Sequence, residues 1–293
     1  MLDANGVAPG LERQAARRTP AFDAREAFAR LAGAAAPWLN VLLPFALFVA
    51  TYEALGLLRS LVVARGVSVF WPYWFDKLMF GVGHYAGRLS LNELFSIHHW
   101  PAVDLITGLA YLLFLHAVLG FAIFLGFIDR SPAGRSRLRA FGWAFLGLNL
   151  AGFATYIAFP VAPPWYVATH GFGPADVHAV ASPAALARWD ALTGVPYFRL
   201  FYAQATDVFG SMPSMHCAYP MLLVLYATEL KRPALISLLV AFQLLMCFSA
   251  VYLQHHYVSD VIVGTAYASL AYVAERMLTG RTLAESPPAA AAS

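Results

Sequence analysis

The sequence predicts an all-α polytopic membrane protein of about six spanning helices. Of its 293 residues, 60% are hydrophobic and only 12% are charged, where a soluble domain carries about 25% charged residues. Mean hydropathy is +0.62. Mainly apolar segments near the ~20 residues a spanning helix needs occur at 38–58, 102–128, 138–160, 214–230, 234–254 and 257–277. Basic residues are also unevenly divided between the connections, as in proteins that cross a bilayer.

Residues 1–37 are polar and mixed in charge, with Arg13, Arg17, Arg18, Arg25 and Arg30, and lack the short apolar region and cleavage site of a secretory signal. They read as a cytoplasmic tail ahead of a membrane domain over 38–278. After the first span, the aromatic-rich stretch from Trp71 to Trp100 suits the membrane interface. Within the second and third spans Asp104, His116 and Asn149 are expected to hydrogen-bond between helices. Residues 161–213 form the longest connection; it is proline-rich, with a short helix expected around Ala184–Leu192. The span at 214–230 is short and opens on a polar Ser-Met-His element. Residues 279–293 read as a disordered Ala/Pro-rich tail.

Six spans put both termini on one side. The N-terminal arginines, Arg130, Arg135, Arg137 and Arg139, Lys231 and Arg232, and Arg276 and Arg281 then share that side, which the positive-inside rule makes cytoplasmic. Arg59, Arg65, Lys77, Arg88, Arg188 and Arg199 are spread through the much longer loops opposite. The net charge of +3 is too small to imply a nucleic-acid partner, and no long basic stretch is interleaved with aromatics; none is expected. The two cysteines, Cys217 and Cys247, supply neither a disulfide framework nor metal-ligand spacing.

Polar chemistry concentrates at two helix starts. One is Phe209-Gly-Ser-Met-Pro-Ser-Met-His216; the other is Ser249-Ala-Val-Tyr-Leu-Gln-His-His-Tyr-Val-Ser-Asp260. Ionisable groups are costly in a membrane protein's spans and mark function there. His256 and Asp260, four apart, would share a helix face so that the carboxylate holds the ring. Ser214 and His216 stand at a helix N-terminus, which is suited to a phosphate. The parity of the spans places both motifs at the external ends. These features point to a membrane-embedded phosphoryl-transfer enzyme.

Pro213-Ser214-Met215-His216 resembles the Pro-Ser-Gly-His motif of the type 2 phosphatidic acid phosphatase superfamily. Ser249-Ala250, five residues, His256, three residues and Asp260 resemble its Ser-Arg-x5-His-x3-Asp motif. Phe159-Pro-Val-Ala-Pro-Pro-Trp-Tyr166 and the doubled histidine of Tyr252-Leu-Gln-His-His-Tyr257 are similar to inositol phosphorylceramide synthases and their bacterial relatives. The resemblance covers roughly residues 40–278. It implies that His256 attacks phosphorus to form a phosphohistidine, that Asp260 fixes its tautomer, and that His216 serves as general acid and then base. Ser214 and nearby amides would hold the non-bridging oxygens. No metal and no cofactor is implied.

This sequence departs from the superfamily pattern at Ala250, which stands where an arginine clasps phosphate, and in lacking the Lys-x6-Arg-Pro motif. A desolvated anion still requires compensation. Arg199 and Lys77 are the candidates, against the plainer readings of interfacial snorkelling or pairing with Asp76 or Asp207. His255, five residues from Asp260, either contacts substrate or packs the start of the helix. Trp165 and Tyr166 either roof the site or anchor the interface. The implied partners are a phospholipid donor and a lipid-alcohol acceptor within the membrane. A hydrolase using the same residues, and a non-catalytic metal or haem binder using His216, His256 and Asp260, are the alternatives.

Overall fold

The computed structural model describes residues 24–57, 66–84, 87–129, 132–176, 178–205 and 208–280, with the side chains of 24–37, 55–57 and 132 excepted. Residues 1–23 and 281–293 of the expected tails lie outside the described residues, as do Arg59, Arg65, Arg130, Asp207 and Arg281. The chain divides into two compact units, Met1–Asn40 and Val41–Ser293. What is described of the first is helix, because α1 (Ala24–Leu57) begins inside the segment expected to be a tail.

The second unit is built from helices, and among the described residues no strand forms. Two short helices, α2 (Phe70–Phe80) and α3 (Leu91–Ile97), occupy the aromatic-rich connection. A capping box starts α3: Ser90 Oγ accepts from Glu93 N at 3.2 Å and Ser90 N donates to Glu93 Oε2 at 2.7 Å. Pro101 opens α4 (Pro101–Ile123) at a first-turn position where its missing N–H costs nothing, and α4 runs into a π-helical turn, Phe124–Ile128. Then come α5 (Pro132–Ala158), α6 (Pro164–His170), α7 (Leu186–Thr193), close to the expected 184–192, and α8 (Tyr197–Tyr202). Asp190 of α7 starts α8 by accepting from the amides of Phe198 and Arg199 at 3.0 and 2.9 Å. The last three helices are α9 (Met215–Thr228), α10 (Pro233–Tyr252) and α11 (Val258–Thr279), which ends on the left-handed Gly280.

Among the described residues, three helices are long and apolar enough to cross a membrane: Pro101–Ile128, Ala133–Ala158 and Pro233–Tyr252. Trp38–Ala54 and Met215–Thr228 are shorter apolar helices. Two of the three expected spans that fall short, α9 and α11, do so for physical reasons. The 14 residues of α9 reach only about 21 Å at ~1.5 Å per residue, and α11 carries Asp260, Glu275 and Arg276 at its two ends. Membrane-crossing helices and an all-α fold stand.

Helix α9 packs along both α10 and α11, α11 along α5, and α4 against α10 and α7. Polar side chains join them as expected at Asn149, whose Oδ1 accepts from Tyr219 OH at 2.6 Å, and at Asp104, which takes Arg188 Nε at 2.8 Å and Tyr252 OH at 3.0 Å. His116 instead turns to the Leu112 carbonyl of its own helix, at 2.8 Å. A buried network ties the C-terminal ends of α9 and α11 together: Arg276 bonds Glu229 and Tyr272, and Tyr226 bonds Glu275. Both histidine motifs lie at the opposite end of these helices.

Candidate active site

The site is made where the first turns of α9 and α11 meet. Ser214 is the N-cap of α9 and Tyr257 that of α11. Asp260, one turn into α11, accepts from Tyr257 N at 2.9 Å, and its main-chain carbonyl accepts from Ser214 N at 3.0 Å. Gly264 makes this approach possible: a Cβ there would lie 2.2 Å from the Ser214 carbonyl oxygen. Ser214 is fully buried, and its Oγ has no hydrogen-bond partner among the described residues.

His256 departs from the expected geometry. It lies just ahead of α11, not on it, so the four-residue spacing does not set its ring on the carboxylate. Its Nδ1 is 3.6 Å from Asp260 Oδ2 but 2.8 Å from the Ser211 main-chain oxygen. Asp260 Oδ2 takes Ser211 Oγ at 2.6 Å instead. A carbonyl only accepts, so His256 carries its proton on Nδ1 and a lone pair on Nε2. That Nε2 lies 2.9 Å from His216 Nδ1; the proton in this bond therefore belongs to His216. The run is Ser211 C=O, His256, His216, every donor pointing towards Ser211.

Aromatic rings wall the pair. Tyr111 of α4 stacks on the His216 ring at 4.6 Å and Phe114 lies at 4.7 Å. His255 stacks on Tyr202 of α8 at 4.8 Å, and its Nε2 donates to the Pro183 carbonyl at 3.2 Å. Burial, with His256 beside it, pushes His255 down to about 3, so it is neutral and acts as a packed wall. Between α4 and α8 a small cavity of about 30 Å³ reaches His216, lined by Tyr111, Phe114, Phe201 and Tyr202.

The loop that carries the two histidines is held from outside. Asn92 of α3 donates through Nδ2 to the carbonyls of Val251 (2.9 Å) and His256 (3.1 Å), and its own carbonyl accepts from Gln254 Nε2 at 2.7 Å. Asp76 of α2, fully buried, accepts from Ser259 N at 2.9 Å and so caps α11. Burial, with Asp260 nearby, raises the Asp76 carboxyl above its usual range.

Among the residues expected to bind substrate, Lys77 is held by Glu93 at 2.9 Å and Tyr73 OH at 2.7 Å. Burial opposes its charge, but these two partners outweigh it and raise the Lys77 pKa. Arg199 is exposed on α8. Trp165 and Tyr166 are buried in one cluster with Val69, Val208 and Phe209. Their helix touches the site through Trp165 N, which donates to Gln254 O at 3.1 Å. The structure thus gathers His216, His256, Asp260, Ser214 and His255, keeps Trp165 at the supporting loop, and turns Lys77 to Glu93. Ser211, Tyr111, Asn92 and Gly264 are not singled out by the sequence, and Asp76, expected there as an ion-pair partner, caps α11 instead. Ser211 lay within the quoted motif, and Asp76 had the signal of an ionisable group in an aromatic segment. Among the described residues, no group of three or more His, Cys, Asp or Glu side chains is arranged around a metal site.

The sequence model of the PAP2 superfamily matches residues 86–274, which include both histidine motifs. The chain belongs to the PAP2 superfamily. A phosphoinositol dihydroceramide synthase of Bacteroides thetaiotaomicron is 33% identical over 233 residues, 79% of this chain and 74% of that protein. The inositol phosphorylceramide synthase of Candida albicans is 38% identical over 127 residues, 43% of this chain and 27% of its own length. The catalytic subunit of the Schizosaccharomyces pombe inositol phosphorylceramide synthase is 34% identical over 135 residues, 46% of this chain and 31% of its own. No solved structure gives a significant match. Family membership and the apolar helices together make this PAP2-superfamily chain a membrane enzyme.

Proposed function

We propose that the protein transfers a phospho-head group, phosphoinositol or a similar phospho-alcohol, from a glycerophospholipid to a lipid hydroxyl such as that of ceramide. The observation that carries this reading is His256 Nε2 lying 2.9 Å from His216 Nδ1 at the start of α9 while His256 Nδ1 is occupied by the Ser211 carbonyl. The relatives' names, all lipid head-group synthases, support the transferase.

In this reading His256 Nε2 attacks phosphorus while His216, protonated as the anionic head group docks beside it, gives its Nδ1 proton to the departing diglyceride oxygen. The phosphohistidine is then attacked by the acceptor hydroxyl, whose proton returns to His216, and His256 is released. Ser214 Oγ, buried and unpaired by geometry among the described residues, and the amides at the start of α9 would hold non-bridging oxygens. His255, Tyr111 and Tyr202 line the side from which a lipid reaches the pair, and Trp165 supports the cover that keeps water off the phosphohistidine. Arg199 and Lys77 remain the proposed sources of positive charge, acting from beyond direct contact.

The finer topology belongs to the same proposal. The membrane domain spans 38–278 with six crossings, the termini are cytoplasmic, and the site opens on the periplasmic, extracellular or luminal face. The test is product identification with purified enzyme and a panel of labelled phospholipids, with and without ceramide or diacylglycerol. Transfer yields a new phospholipid and diglyceride with little free head-group phosphate. Dominant phosphate release from lipid monophosphates, unaffected by any acceptor, makes the enzyme a hydrolase instead.

A further inference from the structure

Three buried groups stand in an order that the sequence motif alone does not contain. Asp260 Oδ2 is satisfied by Ser211 Oγ (2.6 Å) and Tyr257 N (2.9 Å), and it lies 3.6 Å from His256 Nδ1. The nitrogen is satisfied by the Ser211 carbonyl at 2.8 Å. Ser211 is 3% exposed, His256 5% and Asp260 0%, so water does not compete for these bonds. One residue therefore touches both partners, with its hydroxyl on the carboxylate and its carbonyl on the ring.

We propose that Ser211 is a positioning residue through which Asp260 acts on His256. This rests on the reading of His256 as nucleophile. The Asp260 carboxylate fixes the Ser211 hydroxyl, and Ser211 N donates to Val161 O at 3.4 Å. Held from both sides, the Ser211 carbonyl points at Nδ1, enforces the tautomer with a lone pair on Nε2, and sets the direction of that lone pair towards His216. The geometry explains how Asp260 supports the nucleophile although the backbone N–H of Tyr257 and the serine hydroxyl occupy the oxygen nearest the ring. A hydrogen bond to an ionised group is short and strong, and 2.6 Å is the distance such a bond takes. The partner that orients a working imidazole is a distinct determinant of rate: losing such outer partners costs about 10–100-fold where the imidazole binds a metal, and the same orienting role applies here.

The experiment is a double-mutant cycle on the full-length protein in nanodiscs, read with labelled phosphatidylinositol as donor and ceramide as acceptor. Ser211→Ala removes the hydroxyl and leaves the carbonyl. It is expected to lower kcat ~10–100-fold with KM for the phospholipid little changed, whereas Ser211→Thr, which keeps the hydroxyl, retains most activity. Asp260→Asn made in the Ser211→Ala background is expected to add less than about a twofold further loss, since the link it weakens is already cut. Wild-type kcat in Ser211→Ala, or losses that multiply in full in the double variant, overturns the proposal and returns Asp260 to direct action on the ring. Should Ser211→Ala fail to fold, the Ser211→Cys variant, with a weaker donor, takes its place in the same cycle and is judged by the same non-additivity. The underlying reading is tested separately by His256→Ala: turnover surviving there removes the nucleophile itself, while hydrolysis in place of transfer leaves the cycle intact.

Discussion

His216 Nδ1 and His256 Nε2 stand 2.9 Å apart and share one hydrogen bond. A phosphorus atom about 3 Å from its nucleophile, and a leaving oxygen about 2.6–3.2 Å from its acid, require nitrogens roughly 6 Å or more apart. In the proposed mechanism the rings must part, and the bond between them is exchanged for bonds to the phosphodiester. On its other sides the His216 ring meets aromatic neighbours, Tyr111 stacked at 4.6 Å and Phe114 tilted at 4.7 Å.

The pair makes unequal demands on its members. His256→Ala is expected to lose at least ~100-fold in turnover and all phosphohistidine formation, measured with a labelled phospholipid and trapped in alkali. His216→Ala is expected to lose transfer from a lipid donor but to keep labelling of His256 by a p-nitrophenyl phosphodiester, whose leaving group departs without a proton. Equal loss with both substrates would remove His216 from the role of acid.

Gly264 sits where α11 crosses the start of α9, and a methyl group there would stand 2.2 Å from the Ser214 carbonyl oxygen. Backbone does not yield as a flexible side chain does, so Gly264→Ala is expected to part the two helix starts, at a cost of about 1–3 kcal/mol, with activity falling further than stability. Thermal unfolding and kcat measured together check this; a variant with wild-type values of both would mean that the helices are less tightly apposed.

His255 ties stability to pH. Its pKa, held at about 3 by burial and the nearby His256, is about 6.5 in an unfolded chain. Below about 6.5 the unfolded state binds a proton that the folded ring refuses, so stability is level above that pH and falls as pH drops towards 3. His255→Phe, which keeps a ring but cannot titrate, is expected to unfold at a temperature less dependent on pH between 7.5 and 4. Parallel declines in both proteins would show that the ring is not held neutral.

The side of the membrane on which substrate is met follows from charge counting. A cysteine at Ala205 is expected to react with an impermeant thiol reagent in intact cells, and one at the exposed Ser136 is not. The reverse pattern inverts the topology and moves the chemistry to the cytoplasmic face.

The sequence by itself determined the all-α membrane architecture, because apolar segments of spanning length have no other stable form in lipid. The edges of α4, α10 and α11 fell within a few residues of expectation. It also determined which residues converge, since two motifs at the starts of helices entering from one side have to meet. The tertiary structure alone decided how they touch. Residue spacing predicts side-chain pairs only inside a helix, and His256 precedes α11, so the partner of its Nδ1 was set by the Ser211 loop pinned to Val161 and not by the four-residue offset. The same holds for Asn92 and Asp76, more than 150 residues away along the chain from the groups they bond. It holds also for Tyr111, an ordinary apolar-helix tyrosine until α9 sets His216 against its face. Such contacts depend on where rigid helices come to rest against each other, which no local pattern encodes.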